Sequence, residues 1–126
     1  MVKIALVDDS VILRSAIRNV LESSGFEVAL EAGGSAELFA RYFAHINGSG
    51  VELVLLDIFF PTENGLDILA KLKKHLPSVK VLMVTGLRQD TIVAEAQRLG
   101  ADGVLFKPFD TDDLLSSIHR VLSQNK

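Results

Sequence analysis

The chain has 126 residues, enough for a single domain, and its hydrophobic content of 48% is too high for a disordered protein. A net charge of −3 argues against nonspecific binding to nucleic acid or to anionic lipid, and the absence of cysteine excludes disulfides, thiolate metal sites and cysteine catalysis. No stretch resembles a signal peptide or reaches the roughly 18 apolar residues that a membrane helix needs. We therefore expect a soluble, cytoplasmic domain.

The first half of the chain begins with an apolar run at residues 4–7, which is typical of a strand that is buried on both faces. After Ser10, apolar residues recur with the helical period of 3.6 until Gly25 ends the pattern. A weaker strand follows at residues 26–30, and a second helix is predicted behind Ser35, which we interpret as its N-cap.

The middle of the chain repeats this alternation. Residues 53–56 form a continuous apolar run, and a helical pattern extends from Gly65 until Pro77 ends it. Residues 79–84 are rich in β-branched side chains and predict the next strand. The helix that follows stops at Gly100.

A last strand at residues 104–106 and a helix that Asp110 and Thr111 can cap complete the pattern. Five strands thus alternate with five helices, and right-handed crossovers between parallel strands would place helices on both faces of one sheet. The sequence predicts an α/β fold, a three-layer sandwich built as a doubly wound (βα)5 parallel sheet.

Charged and polar side chains follow four of the predicted strands. Asp8 and Asp9 end the first strand, Asp57 the third, Thr85 the fourth and Lys107 the fifth. Ligands of open parallel sheets bind outside the carboxyl ends of the strands, so we expect these side chains to meet at one edge. An acidic residue after a strand is often a turn former, but Asp57 interrupts an apolar stretch, where an ionised carboxylate needs a partner.

A cluster of three carboxylates requires a cation. Two carboxylates about 5 Å apart repel by roughly 3 kcal/mol at an effective dielectric of 20, and an all-oxygen set suits Mg²⁺. Lys107 supplies a second positive charge, and the Thr85 hydroxyl can donate a hydrogen bond to the same ligand. This combination favours phosphoryl transfer with a carboxylate as the nucleophile.

Several fragments, taken in order, resemble the response-regulator receiver family, the CheY-like domains of two-component signalling. They cover essentially the whole chain and lie at residues 7–10, at Leu56-Asp57 followed by Pro61 and Gly65, at residues 84–86, at residues 100–103 and at residues 106–109. The resemblance implies the flavodoxin-like strand order 2-1-3-4-5. It also implies a receiver domain over residues 1–126, with no output domain in this chain.

The resemblance assigns the acidic residues. Asp57 matches the phosphoacceptor, and Asp8 and Asp9 match the acidic pair that holds Mg²⁺ together with Asp57 and the backbone carbonyl of Phe59. The implied function is a phosphorylation-activated switch that takes a phosphoryl group from a sensor histidine kinase or a histidine phosphotransfer protein. Such a domain assists its own phosphorylation and dephosphorylation and is not an enzyme of independent substrates.

The remaining site residues are assigned in the same way. Thr85 matches the hydroxyl that binds the new phosphoryl group, Lys107 matches the lysine that pairs with its oxygens, and Gly86 keeps the phosphoryl pocket open. A downstream protein is expected on the face of the fourth helix, fifth strand and fifth helix, with no direct contact to nucleic acid and no insertion into a membrane.

Three positions depart from the family pattern. Val104 stands where many members carry an aromatic switch residue, and Phe106 lies on the same strand face by the period of two. Phe59 and Leu87, which flank the pocket, are apolar where the family is commonly polar. These differences concern output coupling and the lifetime of the phosphorylated state.

For the kinase, the resemblance implies docking on the first helix. Its buried face centres on Leu13, Ile17 and Val20, which turns Val11 outward. We expect Arg14 and Arg18 beside Val11, where these basic neighbours would suit an acidic partner.

Three other functions fit parts of the pattern. A flavodoxin-like FMN carrier would need glycines and hydroxyls after the first strand, where Asp8 and Asp9 stand. A haloacid-dehalogenase-type phosphatase would need two acids separated by one residue. A receiver-like scaffold that works without phosphorylation is the stronger alternative, although it usually lacks the acceptor or the lysine.

Overall fold

The computed structural model describes residues 1–124. Its strands are β1 (Lys3–Val7), β2 (Glu27–Ala32), β3 (Val51–Asp57), β4 (Lys80–Thr85) and β5 (Gly103–Phe106). Its helices are α1 (Val11–Ser23), α2 (35–48), α3 (Gly65–His75), α4 (Asp90–Arg98) and α5 (Thr111–Leu122).

The five strands form one parallel sheet in the order β2-β1-β3-β4-β5. The predicted (βα)5 fold and its 2-1-3-4-5 strand order are therefore confirmed. Within the described residues, no helix is long and apolar enough to cross a membrane. The central strands β1, β3 and β4 are almost completely buried, as expected for strands covered on both faces.

The sheet separates two apolar cores. One lies beneath α2, α3 and α4 and includes Leu56, Leu69 and Met83, all with an exposure of 0%. The other lies beneath α1 and α5 and includes Leu53 and Ile118, also with an exposure of 0%. Each central strand contributes side chains to both cores, so the sheet positions the helices on both of its faces.

Helix α2 differs from the sequence-based expectation. Its N-cap is Gly34 rather than Ser35, and the Ser35 N–H donates instead to Glu63 Oε2 of the β3–α3 loop, at 2.9 Å. The middle turn of α2, Leu38–Tyr42, has π-helical geometry. The N-cap prediction for Ser35 was therefore wrong, because an acceptor from a distant loop replaces the local cap.

A buried ion pair lies at the opposite end of the sheet from the strand ends that carry the candidate site. Lys73 Nζ of α3 is 2.8 Å from Asp102 Oδ2 and donates to the Val79 carbonyl at 2.7 Å. The same Asp102 oxygen accepts the Val81 N–H at 2.8 Å. The side chains of Lys73 and Asp102 are only 12% and 6% exposed, so this pair joins α3, β4 and the α4–β5 loop in the interior.

Candidate functional site

The carboxyl ends of β1 and β3 bring three carboxylates together. One oxygen from each of Asp8, Asp9 and Asp57 lies within 4.8 Å of the others. Asp8 and Asp57 are buried, with exposures of 6% and 5%, whereas Asp9 is exposed. The adjacency follows from the sheet order, because β1 and β3 are hydrogen-bonded neighbours and both end at this edge.

Lys107 faces this acidic cluster from the end of β5. Its Nζ is 3.4 Å from Asp57 Oδ2 and 3.5 Å from Asp8 Oδ2, and its side chain is 30% exposed. The Lys107 N–H donates to the Thr85 carbonyl at 2.8 Å, which fixes its backbone against the end of β4, and the Lys107–Pro108 peptide bond is cis. One ammonium thus contacts two buried carboxylates.

Local backbone groups orient both buried carboxylates. Asp8 Oδ1 accepts the Ser10 N–H at 2.8 Å, and Asp57 Oδ1 accepts the Phe59 N–H at 3.3 Å. Ser10 is also the N-cap of α1, since its hydroxyl accepts the Leu13 N–H at 3.1 Å. Each carboxylate therefore bonds the backbone two residues ahead and directs its second oxygen toward Lys107.

Gly65 contributes to the site through the space that it leaves free. A Cβ at this position would lie 2.0 Å from the Asp57 carbonyl oxygen and 2.6 Å from the Ile58 Cα. The Gly65 N–H donates to the Ile58 carbonyl at 2.6 Å, so the start of α3 packs directly on the backbone of the candidate acceptor. In the sequence, Gly65 marks a helix start and belongs to a fragment of the family resemblance, but the close approach was not predicted, although a glycine at a helix start is a poor helix former and signals one.

The pKa of the Asp57 carboxyl is raised above its ordinary value of 3.8. Burial is the largest cause, and the neighbouring Asp8 carboxylate adds to it, while Lys107 and the Phe59 N–H act in the opposite direction. Burial and the neighbouring carboxylate therefore make the ionised form of Asp57 unfavourable unless a cation compensates its charge.

The Asp57→Asn variant is expected to be more stable than the parent protein at pH 7 in the presence of EDTA. The raised pKa means that the folded protein binds the Asp57 proton more tightly than the unfolded chain does. As the pH rises above 3.8 and this proton is lost, the ionised Asp57 therefore lowers the free energy of unfolding. The difference should disappear below pH 3.8, where the carboxyl is protonated in both states.

Urea unfolding at the two pH values measures this effect. Glu52→Gln is the matched control, because Glu52 is an exposed carboxylate near the start of the same strand. A similar gain for Glu52→Gln, or no gain for Asp57→Asn at pH 7, contradicts the expectation.

Thr85 and Gly86 form the wall of the site beside β3. Thr85 is fully buried, and its Oγ1 accepts the Leu87 N–H at 3.0 Å. Asp57 pairs with Val84 in the sheet, so Thr85 lies one residue beyond the strand position of Asp57. Gly86 is exposed, and a Cβ there would meet no atom within 4 Å, which leaves this side of the site open.

Two apolar side chains lie on the loops that flank the site. Phe59 is 56% exposed and forms an isolated bridge with Asn64, whereas Leu87 is partly buried. Phe59 follows Asp57 by two residues, and Leu87 follows Thr85 by two, so both lie at the rim near the carboxylates. Neither side chain can hydrogen-bond to a water molecule at the site.

The donor set fits a hard divalent cation. Three carboxylates within 4.8 Å of one another, two of them buried, are opposed by the ammonium of Lys107. Oxygen-only ligands and an exposed side at Asp9 suit Mg²⁺, which keeps several waters when it binds to proteins. The negative charge of the cluster and the raised pKa of the Asp57 carboxyl both favour the binding of such an ion.

Comparison with known proteins gives a consistent result. The family described as "Response regulator receiver domain" matches residues 4–119. The chemotaxis protein CheY of Listeria monocytogenes is 33% identical over 120 residues, which cover 95% of this chain and 98% of that protein.

Solved structures agree with the sequence comparison. A response regulator receiver domain protein from Clostridium thermocellum has a TM-score of 0.86 at 30% identity, over 97% of this chain and 94% of that one. The BeF3-activated DrrB receiver domain has a TM-score of 0.79 at 28% identity, over 98% of this chain and 99% of that one. This chain is thus similar to receiver domains in fold and in sequence along nearly its whole length.

Proposed function

We propose that this chain, which belongs to the response regulator receiver domain family, accepts a phosphoryl group on Asp57 from a histidine kinase or a histidine phosphotransfer protein. Members of this family are phosphorylation-activated signalling switches. The observation that carries the proposal is the Asp57 carboxylate, which is buried beside the acidic pair and 3.4 Å from the Lys107 ammonium. A carboxylate in this position can act as a nucleophile toward phosphorus.

The proposed reaction transfers one phosphoryl group. An Asp57 carboxylate oxygen attacks phosphorus, a new P–O bond forms, and the P–N bond to the donor imidazole breaks. The electron pair of that bond stays on the imidazole nitrogen. The product is an aspartyl phosphate on this chain, so the protein is the acceptor rather than an enzyme acting on independent substrates.

Two side chains would bind the phosphoryl oxygens. Lys107 already lies 3.4 Å from Asp57 Oδ2 and would pair with an oxygen of the product. The buried Thr85 hydroxyl would donate to another oxygen, and the exposed Gly86 leaves room for the group. These roles are part of the proposal and rest on the positions of the three residues at the ends of β4 and β5.

Mg²⁺ is the proposed cofactor. Asp8, Asp9 and Asp57 would hold it with their carboxylates, and Phe59 with its backbone carbonyl. When bound, the ion neutralises negative charge on the carboxylates and on the phosphoryl oxygens. The DrrB receiver domain, whose structure is described as BeF3-activated, supports a phosphoryl site in this fold.

Incubation with acetyl phosphate and Mg²⁺ is expected to add one phosphate to the protein, as read by intact mass. Labelling should require Mg²⁺ and should be lost in Asp57→Ala, because this substitution removes the proposed nucleophile at the end of β3. The control is Asp67→Ala, which removes an exposed carboxylate on α3. Equal labelling of Asp57→Ala and the parent would refute the proposal, and a parent that takes up no phosphate would favour the phosphorylation-independent scaffold.

The kinase or phosphotransfer protein would dock on α1. Val11 and Ile12 are 64% and 85% exposed and follow the acidic pair after Ser10. The basic neighbours Arg14 and Arg18 both pair with Glu31 of β2, Arg14 at 3.8 Å and Arg18 Nε at 2.6 Å, so their charges are partly compensated within the domain. The anchor that we propose is therefore apolar, and a contribution of Arg14 and Arg18 to the attraction of an acidic partner stays a prediction.

Val11→Glu is expected to slow phosphotransfer from the cognate kinase, by about tenfold if the side chain is a central anchor, and to leave labelling by acetyl phosphate unchanged. The exposed position means that the substitution does not disturb the core. Radiolabel transfer from the autophosphorylated kinase measures the first rate and intact mass the second, with Asn19→Glu on the same helix as the control. A parallel fall of both rates would place the defect in the site instead of in docking.

The output side of the proposal is the face formed by α4, β5 and α5, where a downstream protein would bind without direct contact to nucleic acid. A cytoplasmic location is part of the same proposal. Fractionation of cells that express the tagged protein tests the location.

A further inference from the structure

The short connection between β2 and α2 contacts two parts of the candidate site that come from different strands. At its first end, the carbonyl of Ala32, the last residue of β2, accepts the Asp8 N–H at 3.0 Å. At its second end, the N–H of Ser35, the first residue of α2, donates to Glu63 Oε2 at 2.9 Å. Residues 32–35 therefore join the backbone of the acidic pair to the loop that follows Asp57.

This connection is itself held in place by a second carboxylate. Glu37 Oε1 accepts the Gly33 N–H at 2.7 Å, and Glu37 Oε2 pairs with Arg41 at 3.1 Å. Glu37 and Glu63 thus both accept backbone N–H groups at the start of α2, where the helix dipole favours negative charge. The anchor to which Glu63 bonds is therefore well fixed.

The Glu63 carboxylate lies directly against the backbone before α2. A Cβ at Gly34 would be 2.8 Å from Glu63 Oε2, so the absence of a side chain at Gly34 is what admits the carboxylate. Within residues 1–124, Glu63 forms no ion pair with a basic side chain. Its charge is directed to the Ser35 N–H instead.

Within its own loop, Glu63 is adjacent to the backbone that carries the proposed metal ligand. Asn64, the next residue, forms an isolated antiparallel bridge with Phe59. The Gly65 N–H closes the loop by donating to the Ile58 carbonyl at 2.6 Å. A displacement of Glu63 would therefore move the backbone of Phe59, because the bridge joins the two ends of the loop.

We infer that Glu63 is a positioning residue of the proposed Mg²⁺ site: by accepting the Ser35 N–H, it holds the Phe59 carbonyl at a fixed distance from Asp8. Groups that hold a metal ligand in place contribute to metal affinity without touching the ion. Glu63 acts in this way, through the loop. The inference rests on the proposed function, since it specifies how the ligands of that same site are held.

Titration of MgCl2 into the ¹⁵N-labelled protein, without phosphodonor, gives the dissociation constant of Mg²⁺ from the shifts of the backbone amides. We expect Glu63→Ala to raise this constant about tenfold, the lower end of the range for lost support of a metal ligand. Glu63→Gln, whose amide oxygen can still accept the Ser35 N–H, should stay within about twofold of the parent. Asp67→Ala, which removes an exposed carboxylate at the start of α3, is the control for the loss of charge.

Gly34→Ala displaces the same carboxylate without removing it. The new Cβ would meet the end of the flexible Glu63 side chain, and the extended backbone of Gly34, with a φ of 170°, suits alanine. We expect this variant to weaken Mg²⁺ binding too, and its combination with Glu63→Ala to be no weaker than Glu63→Ala alone, because both changes remove one contact. Gly48→Ala, whose Cβ would meet no atom within 4 Å, is the matched control.

Two results would overturn the inference while the metal site stands. The first is equal Mg²⁺ affinity of Glu63→Ala and the parent, even where urea unfolding shows that the variant is less stable, because the contact would then be only structural. The second is an equal loss for Glu63→Gln and Glu63→Ala, which would assign the effect to the charge of Glu63. A parent whose amides do not respond to MgCl2 refutes the Mg²⁺ site and the inference with it.

Intact mass after incubation with acetyl phosphate separates this inference from the proposed function. A parent that binds Mg²⁺ in a manner dependent on Glu63 and takes up no phosphate refutes the proposed function alone. Uptake of one phosphate by the parent, together with unchanged Mg²⁺ affinity of Glu63→Ala, refutes the role of Glu63 alone.

Discussion

Replacement of Phe59 by asparagine together with Leu87 by glutamate is expected to shorten the lifetime of the phosphorylated protein about tenfold. An aspartyl phosphate is lost when water attacks phosphorus in line, and that water must be held and oriented. The parent has no hydrogen-bonding side chain at either rim position. One added hydrogen bond of about 1 to 1.5 kcal/mol in the transition state corresponds to the stated change in rate.

The decay of phosphate from the protein in Mg²⁺, followed by intact mass after removal of acetyl phosphate, gives the rate. Ile12→Asn is the control, because it makes an exposed apolar side chain polar on α1, outside the two rim positions. The 56% exposure of Phe59 allows the alternative that the ring does not cover the site. In that case, the double variant decays at the rate of the parent, and apolar shielding does not determine the lifetime.

Lys73→Met is expected to lower the free energy of unfolding by about 3 kcal/mol, a large share of the roughly 5–15 kcal/mol typical of a domain. The substitution removes the ammonium 2.8 Å from the Asp102 carboxylate, which is 6% exposed, and also the hydrogen bond to the Val79 carbonyl. A buried charge that loses its counterion retains its full desolvation cost.

Urea unfolding of Lys74→Met supplies the comparison, because Lys74 is the exposed next residue of α3 and has the same chain length and charge. The double variant Lys73→Met, Asp102→Asn should recover part of the loss, since it removes the charge that Lys73→Met leaves behind. Equal losses for Lys73→Met and Lys74→Met would show that the pair contributes little to stability.

The fold and the acidic cluster could be predicted from the sequence because both depend on short-range patterns and one topological rule. The buried strands are continuous apolar runs, and parallel strands end at the same edge, so Asp8, Asp57 and Lys107 had to lie near one another. Their positions directly after the strands were sufficient to predict that they lie at one edge, because this prediction does not depend on side-chain contacts.

Features that depend on distant side chains could not be predicted. Lys73 lies in the run Lys71-Leu72-Lys73-Lys74, which has the composition of a solvated helix face, and only the packed structure brings it to Asp102, which is 29 residues away. The same limitation explains Arg14, whose partner Glu31 is on another element. In both cases a local pattern correctly predicts the helix but does not identify the contact partner of its charged residue.

The two edge strands of the sheet also bear on how the protein avoids aggregation. The outer backbone groups of β2 and β5 are a potential template for strands of another molecule. Strand β2 carries the charged residues Glu27 and Glu31, and β5 has only four residues and is followed by Pro108. Charge, shortness and proline are the devices that block intermolecular strand pairing. We therefore expect this protein to stay monodisperse at high concentration, and Glu27→Val with Glu31→Val to promote fibrillar or amorphous association through the β2 edge.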